Sequence, residues 1–297
     1  MTKDDGRVTT LNPHGLFSAL LALMAALALP AAAQDFPSPE EFRFKYEVPF
    51  VPTPMVTVDE MLRVAGVGPK DFVVDLGSGD GRIVITAAMK FGARGFGVDL
   101  DEELIEISQD NARRLGTEDR VKFLRQDLFK TDLSEATVIT MYLLPAVVRR
   151  LQPQLLRLKP GTRIVSHDFE MDGWKPDRKT SVRKNVMLWI VPADVAGRWQ
   201  ARLPLAPVER QVELTLSQSF QEVNAFARLN GVPAQVWEMK LEGDRLSFAI
   251  VDTTNRESEA TLYFSGRVSG DVIEGELVRG VGSARSTMPW RATRVDK

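Results

Sequence analysis

The chain has 297 residues, 44% hydrophobic and 26% charged, a globular composition with enough apolar side chains to fill a core. That excludes a disordered, collagen-like or polytopic membrane protein. Lys and Arg number 38 against 40 Asp and Glu, so no global basic field exists to hold nucleic-acid phosphates, and no nucleic-acid partner is expected. Cysteine is absent and histidine occurs twice, which removes disulfides, thiolate zinc sites, a cysteine nucleophile and any multi-histidine site; no metal is expected.

Residues 1–33 read as a signal peptide. Lys3 and Arg7 precede an apolar run from Leu16 to Leu29, broken by Pro30 and followed by Ala31-Ala32-Ala33, with cleavage before Gln34. The run is shorter than the roughly 20 apolar residues of a bilayer-spanning helix. The expectation is an exported, periplasmic or secreted chain; the alternative is an uncleaved anchor, which would keep the protein near a membrane. Residues 34–56 form an arm rich in Pro and aromatics, including Pro49, Phe50 and Pro52. Thr57-Val58-Asp59-Glu60 has the S/T-x-x-E spacing of a capping box and predicts a short helix through Val64.

From Asp71 apolar strands alternate with amphipathic helices. Strands are predicted at Phe72–Leu76, Gly95–Leu100, Val121–Gln126, Val138–Tyr142, Arg163–Ser166 and Val186–Val191. Helices are predicted at Ile83–Met89, at Asp101–Leu115 and after Pro145. Repeated β-α-β units with buried strands predict an α/β fold, a doubly wound, mostly parallel sheet over residues 57–195. Beyond a boundary between Pro192 and Arg198 the helical period disappears. Short alternating runs and two Gly-Asp turns, Gly243-Asp244 and Gly270-Asp271, predict a small all-β barrel or sandwich of six to eight strands over 196–297. Trp199, Trp237 and Trp290 read as its core or plug.

The chemistry concentrates in Asp75-Leu76-Gly77-Ser78-Gly79-Asp80-Gly81, between the first strand and the next helix. Glycines let the backbone turn and approach a ligand closely, and the helix N-terminus offers free N–H groups. Asp99 ends the second strand, where a carboxylate can accept both ribose hydroxyls. Asp127 ends the third, where it can accept from an adenine amino group. The spacing is G-x-G-x-G, not the G-x-G-x-x-G of dinucleotide sites, and Asp75 and Asp80 suit a cation better than a pyrophosphate. S-adenosylmethionine, with its ammonium and sulfonium, is the cofactor these positions predict. The loop with Asp99 and Asp127 resembles the class I S-adenosylmethionine-dependent methyltransferases.

A narrower resemblance rests on Val48-Pro49-Phe50-Val51-Pro52-Thr53-Pro54, on the loop continued through Arg82-Ile83-Val84, and on Tyr142-Leu143-Leu144-Pro145. Over about residues 46–192 these are similar to the family of mitochondrial lysine methyltransferases that modify the ATP synthase c-subunit and the adenine nucleotide translocase. The resemblance implies a protein lysine as acceptor and an arm lying over the cofactor, with Thr53 towards its methionine end. The cofactor set is then Thr53, Asp75, Gly77, Ser78, Gly79, Gly81, Asp99 and Asp127. Tyr142 could line the acceptor channel, its ring on an amine's methylene stem, or be a half-buried aromatic. His167, ending the fifth strand, could take the acceptor's proton or be hydrogen-bonded at the sheet edge. Two other readings stay open: a small-molecule methyltransferase whose β domain shapes a pocket, and a non-catalytic nucleoside-binding protein.

Overall fold

The computed structural model describes residues 50–182, 184–205, 209–252, 260–280 and 285–296, all within one compact unit, and the first regular element among them starts after Pro54. The signal-peptide segment 1–33 and the arm up to residue 49 lie outside the described residues. Helix α1 spans Met55–Val64, two residues ahead of the expected start of the domain at 57. Pro54 has φ −57°, and its carbonyl accepts from Thr57 N (2.8 Å) and Val58 N (3.0 Å), so the helix is nucleated before the supposed cap. The capping-box expectation is therefore wrong. Thr57 is buried inside the helix, and Glu60 accepts from Arg63 (2.7 Å) and Thr180 Oγ1 (2.8 Å).

The first sheet follows the predicted alternation: β1 Phe72–Leu76, α2 Arg82–Phe91, β2 Arg94–Asp99, α3 Glu102–Arg114, β3 Val121–Arg125, β4 Val138–Met141, α4 Pro145–Leu155 and β5 Arg163–His167. Two further strands, β6 Arg178–Val182 and β7 Lys184–Ile190, complete the order β3-β2-β1-β4-β5-β7-β6. The first five are parallel; β7 is antiparallel to both β5 and β6. Strand alternation sends Val74, Leu76, Ile139, Met141 and Ile164 to the α4 face, against Val148, Leu151 and Leu155. Val73, Val138 and Val165 go to the opposite face, against α1 and α2. By the same alternation Asp75, Thr140 and His167 point to the α1/α2 face at the carboxyl ends of their strands, where the order reverses between β1 and β4 and such sheets bind ligands.

Among the described residues the second sheet has nine antiparallel strands: β8 Gly197–Leu203, β9 Arg210–Ser219, β10 Glu222–Leu229, β11 Val232–Ala234, β12 Val236–Glu242, β13 Arg245–Asp252, β14 Ala260–Ser269, β15 Val272–Arg279 and β16 Ser286–Asp296. Their order is β11-β10-β9-β8-β16-β15-β14-β13-β12, and β10 lies against β12, so the sheet curls into a nearly closed barrel rather than a sandwich. The interior is filled. Phe248 and Phe264 stack at 4.7 Å, Trp290 stands edge-on to both, and Trp199, Leu262 and Leu277 pack around them. Trp199 and Trp290 are core residues as expected. Trp237 is not: it is 52% exposed on β12, beside an irregular register between Trp237 and Lys240. Both Gly-Asp pairs make two-residue turns, with Glu242 opposite Arg245 and Ser269 opposite Val272.

Candidate active site

The loop after β1 is pinned from below. Gly77 and Ser78 both donate to the Val98 carbonyl at 2.9 Å, and Gly81 N donates to Ser78 O at 2.9 Å. Gly77, Gly79 and Gly81 all have positive φ (79°, 53° and 81°), a backbone that side-chain-bearing residues rarely adopt. The space above them is occupied as well. A Cβ on Gly79 would stand 2.2 Å from the Phe50 ring, and one on Gly81 would stand 2.6 Å from Phe123. Phe50, in the described end of the arm, thus lies directly against Gly79 of the loop.

Below the loop, Asp75 is buried and its Oδ1 accepts from Thr140 Oγ1 at 2.7 Å. Its Oδ2 has no hydrogen-bond partner, and neither does the buried Ser78 hydroxyl. Burial raises the Asp75 carboxyl to about pH 8; Thr140 opposes the rise, and the charges of Asp99 and Asp80 add to it. Two buried polar atoms without protein partners beside a glycine loop fit a ligand bearing a cation. Asp99 accepts from Gly79 N (3.0 Å) through Oδ2 and from Asp101 N (3.1 Å) through Oδ1. Burial raises its carboxyl too, and those backbone bonds hold the rise down. Asp127 caps the short 3-10 turn Leu128–Lys130, its Oδ1 accepting from Phe129 N at 2.9 Å. Gln126 N donates to Asp99 O (2.9 Å), tying the ends of β2 and β3 together.

Asp80 has a different role from the one its position in the loop suggested. Its carboxylate is taken by Arg82, at 2.9 and 3.1 Å from Nε and 2.5 Å from Nη2, with side-chain exposures of 1% and 10%. Arg82 Nη1 in turn donates to the Thr53 carbonyl at 3.0 Å, so the pair clamps the arm. Asn111 of α3 donates to the Asp80 carbonyl at 3.0 Å and fixes the clamp from behind. The sequence carried one signal of this, an arginine two residues after an aspartate that no phosphate would need.

The clamp sets Thr53, which is buried, with its Oγ1 3.2 Å from His167 Nδ1. Tyr142 lies over the His167 ring with centroids 4.0 Å apart, and Phe169 stacks on Tyr142 at 6.1 Å and 17°. Thr53, Tyr142 and His167, read separately in the sequence, are thus one cluster; Phe169 belongs with them and was missed. Among the described residues no group of three His, Asp or Glu stands together as a metal site.

The sequence profile of the ANTKMT methyltransferase domain matches residues 75–178. A protein-lysine N-methyltransferase of Saccharolobus islandicus is 45% identical over 152 residues, half of this chain and 94% of the relative. The mouse lysine N-methyltransferase of the ATP synthase c-subunit is 34% identical over 52% of this chain, which spans 62% of the mouse protein. A solved RNA methyltransferase from Salinibacter ruber, in complex with S-adenosyl-L-homocysteine, is 49% identical over 49% of this chain and 96% of its own, with a TM-score of 0.48.

Proposed function

We infer that this chain, which belongs to the family of ANTKMT-type protein-lysine N-methyltransferases, uses S-adenosylmethionine to methylate the ε-amine of a lysine in a protein. The observation that carries the reading is the Asp75 oxygen left without a protein partner beneath the arm-covered glycine loop. The cofactor supplies an electrophilic methyl group on a sulfonium. Asp75 Oδ2 and the Ser78 hydroxyl accept from its ammonium end, with Gly77, Gly79 and Gly81 giving the backbone room to approach. Asp99 takes the ribose hydroxyls while keeping its bonds to the loop, and Asp127 takes the adenine amine. Thr53 closes the site from the arm.

On the acceptor side the lysine must arrive neutral, because only the free amine has a lone pair for the methyl group. A desolvating wall of Tyr142 and Phe169 favours that form by disfavouring the ammonium. Methyl transfer then needs alignment above all. His167 is fully buried between Thr53 and the Tyr142 ring, which suits a support for both better than a base open to the acceptor. The filled barrel interior weighs against a barrel-shaped pocket for a small substrate.

Mass spectrometry after incubating the protein with isotope-labelled S-adenosylmethionine and a lysate of its source organism places the new methyl group on a lysine ε-nitrogen. Label on RNA, a carboxylate or a free metabolite would overturn the acceptor. In the same assay Tyr142→Ala slows transfer with cofactor affinity preserved. His167→Ala costs a few-fold; a loss of about 100-fold or more would make it the general base. Asp99→Ala weakens S-adenosylhomocysteine binding by about 1.5–3 kcal/mol, the range of a charge-assisted hydrogen bond, in titration calorimetry. Unchanged affinity would remove Asp99 from the ribose.

A further inference from the structure

We propose that the barrel is part of the acceptor site's scaffold: the Phe220-Gln221 turn between β9 and β10 holds the segment His167–Trp174 and so keeps Phe169 on Tyr142. This rests on the methyl-transfer reading for its consequence, and on the packing alone for its geometry. The matched methyltransferase profile ends at residue 178, so the turn lies wholly outside it.

The segment that follows His167, the last residue of β5, carries Phe169 and has almost no regular structure, only a bridge between Met171 and Trp174. It begins with a backbone that must be held in place: Asp168 has φ 73°, which a residue with a side chain adopts only where its surroundings over-determine it. Near its start, Asp168 N donates to Asn185 O (2.8 Å) and Ser166 Oγ to Phe169 O (2.8 Å). From the α4 side, Arg149 reaches Asp172 (2.6 Å) and Gln152 Nε2 donates to the Asp172 carbonyl (2.8 Å).

Its far end is held by the barrel. Trp174 is 1% exposed; its indole N–H donates to Gln221 Oε1 at 2.9 Å, and the Phe220 ring stacks on it at 5.6 Å and 6°. Gln221 Nε2 donates to the Lys175 carbonyl at 2.8 Å, so one glutamine side chain binds two successive residues of the segment's end. Phe220 belongs to the same apolar cluster as Met171, Trp174 and Phe169, a barrel residue packed into the core of the first sheet. The turn is itself rigid. Gln218 Nε2 donates to Phe220 O (2.7 Å) and to Ala193 O (2.8 Å), fixing it to the chain between the sheets, and Phe220 is held at φ 54°. Trp174 therefore sits in a socket made half by the barrel, and Phe169 lies five residues up the same short segment. An aromatic wall displaced by about an ångström misaligns the amine and the methyl group, which costs rate and not cofactor binding.

The test uses the full chain and the double variant Phe220→Ala/Gln221→Ala, with Phe220→Tyr as the conservative variant and Phe226→Ala, on the exposed barrel wall, as control. The probes are labelled S-adenosylmethionine with poly-L-lysine as acceptor, titration calorimetry with S-adenosylhomocysteine, and amide hydrogen exchange. The double variant loses roughly 10- to 100-fold in turnover, keeps wild-type affinity for S-adenosylhomocysteine, and exchanges faster over residues 168–175. Phe220→Tyr and Phe226→Ala behave as wild type. Two results would overturn the proposal: unchanged turnover with unchanged exchange over 168–175, or turnover and cofactor affinity falling together. A wild-type protein that methylates no amine would instead sink the methyl-transfer reading, and exchange over 168–175 alone would then decide whether the turn holds the segment.

Discussion

Arg82→Ala lowers the stability of the protein by about 3–5 kcal/mol, the cost of removing one partner from a buried ion pair. The loss is large because Asp80 would be left as a buried carboxylate with its main partner gone, in a loop too tightly turned to bring it to water. The same substitution frees the Thr53 carbonyl, so the arm loosens and the Thr53–His167 contact goes with it. Removing both charges in Asp80→Asn/Arg82→Met restores much of the stability but not the hold on Thr53. Urea unfolding of the three proteins measures the first effect and transfer rates measure the second. A cost below about 1 kcal/mol, the scale of an exposed pair, would show that the clamp is screened by solvent.

Binding of S-adenosylmethionine near pH 7 releases a proton, and Asp75→Asn abolishes that release. With its folded value at about 8, Asp75 is mostly protonated at neutral pH in the ligand-free protein. An ammonium beside Oδ2 favours the carboxylate, so the proton leaves as the cation arrives. Calorimetry in two buffers of different ionisation enthalpy then gives different binding heats for wild type and equal heats for Asp75→Asn. Equal heats for wild type would mean that the ammonium is held elsewhere. Stability carries the same sign. The unfolded carboxyl titrates near about 3.9, so between there and pH 8 the folded protein holds a proton that the unfolded chain has lost. Stability present below the unfolded value therefore falls as pH rises through the folded one. Asp75→Asn flattens that slope, and weakens cofactor binding by about 1.5–3 kcal/mol through the lost charge-assisted bond.

How far the sequence carried can be seen strand by strand. Phe72–Leu76 and Val138–Met141 were legible because strands buried on both faces are near-continuous apolar runs, interrupted here only by Asp75 and Thr140. Arg178–Val182 was not, because an edge strand with one apolar residue has no such run. Gly197–Leu203 and Glu222–Leu229 alternate faithfully, but small or charged neighbours dilute the pattern: Ala201 and Ala227 face inward while Arg198, Arg202, Glu222 and Arg228 face out. The glycine loop and the position of Asp99 at the end of β2 were legible because strand-to-helix connections are local. The Thr53–His167 bond joins residues 114 apart, and the Phe220–Trp174 stack joins two sheets; no local period reports either. Asp80 shows the converse: its local context was read correctly, but its charge was assigned to a ligand when a neighbour two residues away had already claimed it.

The strand order of the barrel bears on how the chain is made. β16 follows every other strand of its sheet along the chain, yet it sits between β8 and β15 and is the link that joins β11-β10-β9-β8 to β15-β14-β13-β12. As the polypeptide leaves the ribosome, the first sheet has all its strands once Ile190 has emerged, and it can close its core except at the Trp174 socket, which waits for Phe220 and Gln221. The barrel must wait until Ser286–Asp296 is out, holding two four-stranded halves whose edges at β8 and β15 lack their partner. Bare edges of this kind pair readily with other chains, and long-range pairings form slowly. The interval between Leu203 and Ser286 is thus when a nascent molecule is most exposed to aggregation, and where a chaperone that covers strand edges would have the greatest effect on yield.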